Sequence, residues 1–593
     1  MVGLPYDCLA NPLGAVRFTF EKALASASAP AALEGKDWGT SDLFQRFLFE
    51  DDGISQVPML TPTTIRSLQT NTLVRFRGMI QDMLGNEFYV GAYKDGDVWR
   101  TNKFSDVSQF PMEPSSETRM WERRLLYCIP VPGQNGWTEH YWGTQMNPLT
   151  NYTSSPRQKR QREDDISMDD VETHAPDHDF QDSSSGKRQR EDGVSLQSPY
   201  LENELAGNCS SSFVPACDRS FFPCLLKVYD SPESEIKLNE VFEFVGILSF
   251  ETEVAKDEID EFDYGLCEED MTHLPPVKVP RIHCLSYRKL AAHDFVSSSP
   301  ILEPKSHIVK GIRDSLLSHL TVVLGNDGLA AQFMLLHLLS GVHARVDAVA
   351  VGKLSLNLTC LGKESSSIFG NRLNLAIRNL VPFTHSLPLT VDYLNSVSLS
   401  PKKDYQTNRL VAGALQLAEG SHLTIDETQL QAGTLNSTGV ENARVLKMLM
   451  EFQKVEYDFT YYKMEMAADV QILILSDGKS NILPADLVLP FRPSSADTLD
   501  GVEPEILKAW RWYLATVRSL THSIEQEMQK VVEDDLVAAR QADRSLGSQD
   551  LSRLLTLGRL MSVSFGETSL LLEHWQMVKE LDRLRKERLQ GSA

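Results

Sequence analysis

The sequence predicts a mixed fold, α/β plus β: two β-rich units, an α/β core and a C-terminal helical region. Three observations predict it. Apolar runs of strand length, bounded by turn residues, recur within 1–150 and 221–300. Helix-like and strand-like segments alternate through 301–500, the pattern of an α/β layer. From 503 to 590 apolar residues step by three and four with no strand between them. The expected domains are therefore 1–150, 221–300, 301–500 and 501–593, with 151–220 as a disordered linker poor in large apolar residues. A chain of 593 residues has room for them and for more than one buried core.

In the first unit a helix is expected over 41–49, with Leu43, Phe44, Phe47 and Leu48 on one face and Ser41 as its cap. Strands follow at 73–80, 87–91 and 124–131. The first alternates apolar and basic residues, as a half-exposed strand does. Together they suggest a small OB-like barrel. Arg75, Phe76 and Arg77 then have two readings: a strip that stacks bases and holds phosphates, or an ordinary barrel strand, which is the plainer one. The second β unit, also OB-like, takes strands from CLLKVY (224–229), VFEFVGIL (241–248) and 280–285, with an acidic loop at 251–272. Gly246 is expected where the strand bends to close the barrel.

The core opens with helices at 306–323 and 327–342, the second carrying Leu329, Phe333, Leu336 and Leu339 at helical spacing. A strand at 354–360 precedes a polar loop and a helix at 369–380. A helix is expected at 409–417, and strands at 422–425 and 470–475. In the last region one face runs Ile506, Trp510, Tyr513, Val517, Leu520, Ile524, Met528 and Val531. Ser548 would cap a second helix, and 570–589 form a third with a basic tail.

The net charge of −23 is concentrated. Residues 163–182 carry nine acids and no Lys or Arg, and 251–270 carry ten acids against Lys256 alone, so these stretches hold −18 and the rest −5. Such a chain repels phosphate backbones at long range, which argues for protein partners and against strong direct DNA binding. No apolar run is long enough to span a membrane, and no signal peptide opens the chain. The eight cysteines form no C-x-x-C pair, and Cys209, Cys217 and Cys224 lack zinc spacing, so no metal is expected. The linker repeats KRQRED at 159–164 and 187–192. Accessible basic clusters in a disordered segment suit an import receptor, which makes Lys159, Arg160, Arg162, Lys187, Arg188 and Arg190 nuclear-localisation candidates and the nucleus the expected compartment. Ser155-Pro156 and Ser400-Pro401-Lys402-Lys403 make Ser155 and Ser400 candidate phosphorylation sites.

The core also resembles an AAA+ ATPase layer, and in particular the minichromosome maintenance (MCM) helicases. HLTVVLGNDGLAAQFMLLHLLSGV (319–342) resembles their opening helix pair, RLVAGALQLAEGSHLTIDE (409–427) the stretch ending in the Walker B acids, and 470–476 the next core strand. The chemistry is missing. A P-loop needs two glycines and Lys-Ser/Thr so that backbone N–H groups, a cation and Mg²⁺ can hold the triphosphate. Here that place reads LGKESSS (361–367), with Glu364 adding negative charge. Ser476-Asp477 stands where a sensor Asn would, and no arginine-finger motif follows. Asp426 and Glu427 are thus a vestigial Walker B-like pair in a degenerate AAA+-like core. No cofactor and no catalytic residue is expected.

Longer blocks are NPLGAVRFTFE (11–21), TLVRFRGMIQDMLGNEFYVG (72–91), YCIPVPG (127–133), KDYQTNRLVAGALQL (403–417), LTIDETQL (423–430) and QKVEYDF (453–459). They resemble one family nearly end to end, the MCM-binding proteins, and plant members most closely. The resemblance implies a non-enzyme that binds MCM helicase subunits in a complex lacking the usual second subunit. It further implies release of the helicase from chromatin in S phase, and roles in DNA replication, cell division, mitosis and sister chromatid cohesion. Two other readings stand beside it: an unorthodox ATPase using Lys363, Asp426 and Glu427, and a single-stranded nucleic-acid binder using the OB-like units.

Overall fold

The computed structural model describes residues 7–26, 33–35, 37–106, 117–138, 222–232, 234–250, 279–296, 306–347, 349–361, 366–494, 501–544 and 546–591. The chain divides into two units, Met1–Asn147 with Asp218–Ala593, and Pro148–Cys217; all described residues lie in the first. The basic clusters, Ser155, the acidic loop and positions 362–365, Lys363 among them, lie outside the described residues.

The N-terminal helices α1 (Pro12–Leu24) and α2 (Thr40–Gln45) come first, and α2 runs into a π-helical turn, Arg46–Glu50. Phe44 and Leu48 are buried, as their spacing suggests. Ser41 is not the cap. The Asp37 carboxylate takes that role, accepting from the backbone N of Thr40 and Ser41 at 3.1 and 3.3 Å.

The next strands are β1 (Leu73–Asp95), β2 (Val98–Thr101) and β3 (Thr118–Ile129). The segments 73–80 and 87–91 are one strand, because three register shifts against β3 let β1 bend without ending. Across the linker come β4 (Cys224–Val228), β5 (Val241–Ser249) and β6 (Arg281–Leu290). They do not build a second barrel. They join the same sheet in the order β2-β1-β3-β4-β6-β5, and β5 pairs back on β1 from Leu73↔Ile247 to Met79↔Val241. The two β-rich units are therefore halves of one closed barrel. β3 meets β4 antiparallel and β4 meets β6 parallel. Val74, Phe76, Ile80, Leu126, Leu226, Phe242, Phe244 and Ile282 fill the interior. Gly246 bends β5 as expected: the β5–β6 register shifts at Val245/Gly246, and a Cβ there would lie 2.2 Å from the carbonyl oxygen of His283.

Two helices open the core, α3 (Ser306–Val323) and α4 (Gly328–Leu339), the latter capped by Asp327, whose carboxylate accepts from Ala330 N at 3.0 Å. A small hairpin, β7 (Ala344–Val346) and β8 (Val349–Val351), leads to β9 (Leu356–Thr359). Then come α5 (Asn371–Leu380), β10 (Thr384–Pro388), α6 (Val391–Ser396), β11 (Lys402–Asp404), β12 (Arg409–Val411) and β13 (Ser421–Asp426). The span 409–417 is thus not a helix. Arg409 to Val411 pair with β11, and the backbone N of Leu415 donates to Leu399 O, so sheet pairing overrides the Ala/Leu-rich local preference. The core continues with α7 (Ser437–Phe452), β14 (Lys454–Asp458), β15 (Lys463–Ala467), β16 (Val470–Leu475) and β17 (Leu487–Pro490). Five strands form an all-parallel sheet in the order β10-β13-β16-β9-β17. Its central strands β9 and β16 are buried at every position, as strands covered on both faces are, whereas the edge strand β10 is half-exposed.

The C-terminal helices are α8 (Pro504–Arg518), α9 (Gln526–Ala542), α10 (Ser548–Ser564) and α11 (Leu572–Gln590). The single face read from 506 to 531 is broken between α8 and α9, where Ser523 N donates to Thr568 O at 2.9 Å and draws the chain out of helix. Ser548 is the first helical residue, and Asp550 accepts from Gly547 N at 3.0 Å in place of the expected Ser548 cap. Trp510, Tyr513, Leu557, Leu560, Trp575 and Val578 bind this region to α3, α4 and β9 in one hydrophobic core.

Candidate functional site

The carboxyl ends of the parallel strands bring together three places singled out in the sequence: the segment after β9, the acids at the end of β13 and the Ser-Asp pair after β16. Leaving β9, Cys360 takes φ 66° and donates its backbone N–H to Asp477 O at 2.8 Å; Leu361 N donates to Ser476 O at 3.1 Å. On β9 itself, the buried Asn357 donates Nδ2–H to Ser476 Oγ at 2.7 Å. The sheet edge is thereby tied laterally by its own polar groups.

The two acids bend back into this edge. Asp426 Oδ1 accepts from Thr428 N at 2.9 Å and from Thr428 Oγ1 at 2.6 Å, a local turn. Glu427 is buried, and its Oε1 accepts from Ser480 Oγ at 2.6 Å. That serine is itself fixed by Leu483 N, which donates to its Oγ at 3.0 Å. Burial pushes the Glu427 carboxyl above its ordinary value, the Asp426 charge adds to this, and the Ser480 hydrogen bond opposes it. Among the described residues no cluster of three or more His, Cys, Asp or Glu side chains could hold a metal ion.

The Arg75-Phe76-Arg77 strip lies inside the protein. Phe76 is buried, Arg75 Nε donates to Val57 O at 3.2 Å, and Arg77 Nε and Nη2 donate to Glu243 Oε1 at 2.9 and 2.7 Å. Burial opposes the charge on Glu243, but Arg77, Arg75 and Arg288 outweigh it and hold the carboxyl below its usual value. The ordinary barrel-strand reading is the one the geometry supports. A second polar network crosses the barrel at Asp106, which accepts from Lys227 at 2.6 Å, Arg123 at 2.9 Å and Ser249 at 3.1 Å, with His283 Nε2 at 3.2 Å. Among the described cysteines Cys8, Cys128, Cys224 and Cys284 are buried thiols and Cys360 is exposed. Ser400 is half-buried, one residue before the buried Pro401.

Sequence reasoning missed the seam between barrel and core. Gln81 and Asp82 stand at the first register shift of β1. Asp82 Oδ2 accepts from Arg409 Nε at 3.1 Å and Leu410 N at 2.9 Å, and Gln81 Nε2 donates to Leu410 O at 2.7 Å. Arg409 also lies over the Tyr127 ring at 3.9 Å. Asn135 and Trp137 donate to Val381 O and Arg378 O at 2.7 and 2.8 Å, and Arg511 stacks on Trp137. The one available signal was the Gln81-Asp82 pair, which directly follows the apolar Met79-Ile80 and interrupts the strand's alternation.

These features define a class: a closed β-barrel fixed to a parallel α/β layer whose strand-end acids are tied up by neighbouring hydroxyls, with a helical region completing the layer's core. A model of the mini-chromosome maintenance replisome factor family matches residues 44–589. The chain belongs to this family. It is 57% identical to the mini-chromosome maintenance complex-binding protein of Arabidopsis thaliana, over 99% of this chain and 100% of that protein. The proteins of the same name from Gallus gallus and Homo sapiens are 35% and 33% identical, each over 98% of both chains. The resemblance read from the sequence blocks is thus borne out. Among the described residues no helix is long and apolar enough to cross a membrane.

Proposed function

We propose that this protein is a non-catalytic adaptor that binds the MCM complex. The observation that carries this reading is the end-to-end relationship to proteins named for binding that complex. In the finer reading it binds MCM subunits assembled without the usual second subunit and promotes disassembly and release of the helicase from chromatin in S phase. It thereby supports DNA replication and sister chromatid cohesion, in the nucleus, with the linker clusters engaging an import receptor.

Strand order supports a mimicry mechanism. Numbered along the chain, the five barrel strands β1, β3, β4, β5 and β6 close in the cyclic order 1-2-3-5-4, which suits an OB-like barrel. The core strands β9, β10, β13, β16 and β17 lie in the order 5-1-4-3-2, which suits an AAA+-like layer. A chain of this fold, residues 301–593 above all, stands in for a ring neighbour without adding an ATP site: Glu427 spends a carboxylate oxygen on Ser480, and the P-loop's second glycine and paired Lys-Ser/Thr are absent. The acidic stretch 251–272 steers it toward basic surfaces.

Affinity purification of the tagged full-length chain from nuclear extract, read by mass spectrometry, tests this. MCM subunits are expected, the second subunit depleted, and calorimetry is expected to detect no ATP binding. Absence of every MCM subunit overturns the adaptor reading; ATP binding abolished by substitution of Lys363 favours the unorthodox ATPase.

A further inference from the structure

Two hairpins of the core end side by side. One joins β11 to β12 through 405–408, and the other joins β14 to β15 through 459–462. Lys402 pairs with Asp458, and Tyr405 Oη donates to Phe459 O at 2.9 Å, so the tips are linked. Each is tightened by an aspartate: Asp404 accepts from Gln406 N and Thr407 Oγ1 at 2.8 and 2.7 Å, and Asp458 accepts from Thr460 N at 2.7 Å. Thr460 is held at φ 63°, a left-handed conformation that this bond stabilises.

The tips carry four aromatic rings in fixed contact. Tyr405 meets Tyr461 edge to face at 5.4 Å, and Phe459 stacks on Tyr462 at 5.0 Å with the planes 6° apart. Phe459 reaches the core cluster beneath. The tyrosines do not: Tyr461 is 83% exposed, Tyr462 54% and Tyr405 48%. Such rings add little to folding, yet their rotamers are already ordered, which is what an interface anchor requires.

The surrounding charges are internally matched. Lys463 bonds Glu456 at 2.6 Å, Lys454 bonds Glu465 at 2.7 Å, Lys402 lies 3.9 Å from Asp458, and Lys403 donates to Asn408 O at 2.7 Å. A single-strand groove would pair stacking rings with a basic track for phosphates. An aromatic centre inside a charge-neutral rim instead has the anatomy of a protein–protein contact.

We propose that this double tip is an anchor that inserts into a charge-poor apolar pocket on a subunit of the MCM complex, a proposal that rests on the adaptor reading above. Its test uses the full-length chain carrying Tyr461→Ser with Tyr462→Ser, the paired Phe substitutions, and purified MCM subunits co-expressed without the second subunit. Affinity is expected to fall about 30-fold or more in the Ser variant, the scale of one lost aromatic hot spot. The Phe variant is expected to stay close to the parent, and the thermal midpoint to be unchanged in both because the rings are exposed. Unchanged MCM affinity in the Ser variant overturns the anchor and leaves the adaptor reading standing. Failure of the unsubstituted chain to bind any MCM subunit overturns both. If the Ser variant instead loses only binding to an oligothymidylate, or only self-association in sedimentation, the surface serves nucleic acid or a second copy and the proposal fails.

Discussion

Glu427 and Asp82 are both buried acids, and the difference between them lies in what each one answers. Glu427 faces a hydroxyl, and burial already favours its neutral form. Glu427→Gln keeps an oxygen for Ser480 Oγ–H and removes the charge. Stability measured by urea denaturation is expected to change by less than about 1 kcal/mol, with MCM binding retained. Asp82 answers a guanidinium and a backbone N–H, both inside the barrel–core seam. Asp82→Ala strands the buried Arg409 charge and is expected to cost about 3–5 kcal/mol in the same measurement. The first acid was legible, because an apolar run ending in Asp-Glu marks a strand edge whatever follows. Its Ser480 partner was not, and neither was Arg409, since periodicity shows which face a residue occupies but not what lies across from it.

At the scale of elements, the period-two runs revealed most of the barrel strands but not how they pair. β3 and β4 are neighbours across the whole linker, so the sequence showed two β clusters where pairing makes one barrel. The same limit explains β12, where three residues of pairing with β11 outweigh a composition that favours helix. The α8–α9 break is similar: an unbroken helical face is interrupted by bonds to the chain before α11. Gly246 is the exception, because a glycine within an apolar strand has a local meaning that needs no partner. Its place at the β5–β6 register shift leaves no room for a side chain, the obstacle being backbone rather than a flexible side chain. Gly246→Ala is expected to cost about 1–3 kcal/mol. It should also raise amide exchange in both β5 and β6, which a mutation felt on one strand alone would not do.

Across the whole molecule, histidines are held neutral by their surroundings: His283, His337 and His422 are buried, His385 and His522 half-buried. His283 lies in the barrel, where its Nδ1 faces Tyr229 Oη at 2.7 Å. His385 sits at the seam with Nε2 donating to Pro132 O at 3.1 Å. In the core His337 donates from Nδ1 to Leu354 O at 2.8 Å and meets His422 Nε2 at 3.1 Å, while His522 belongs to the helical region. Burial pushes His283, His337, His385 and His522 down to about 4, and it pushes His422 well below its ordinary value, the neighbouring His337 and Arg518 adding to burial there. In the unfolded chain each titrates near its ordinary value of about 6.5. Above that value neither state binds these protons and the burial carries no pH-linked cost. Between about 6.5 and 4 the unfolded chain takes up protons that the native state refuses, so stability falls as pH falls. Acids held low by cations act in a lower window: Glu441, brought down to about 2 by hydrogen bonds from Arg444 and Lys463, begins to count only below about 4.5. The thermal midpoint is therefore expected to drop steeply from pH 6.5 to 4.5, with several protons taken up per molecule on unfolding near pH 5. His385→Gln, whose amide can donate to Pro132 O without titrating, should lower that uptake by about one proton. A midpoint that stays flat across this interval would show that the buried histidines are already protonated in the native state.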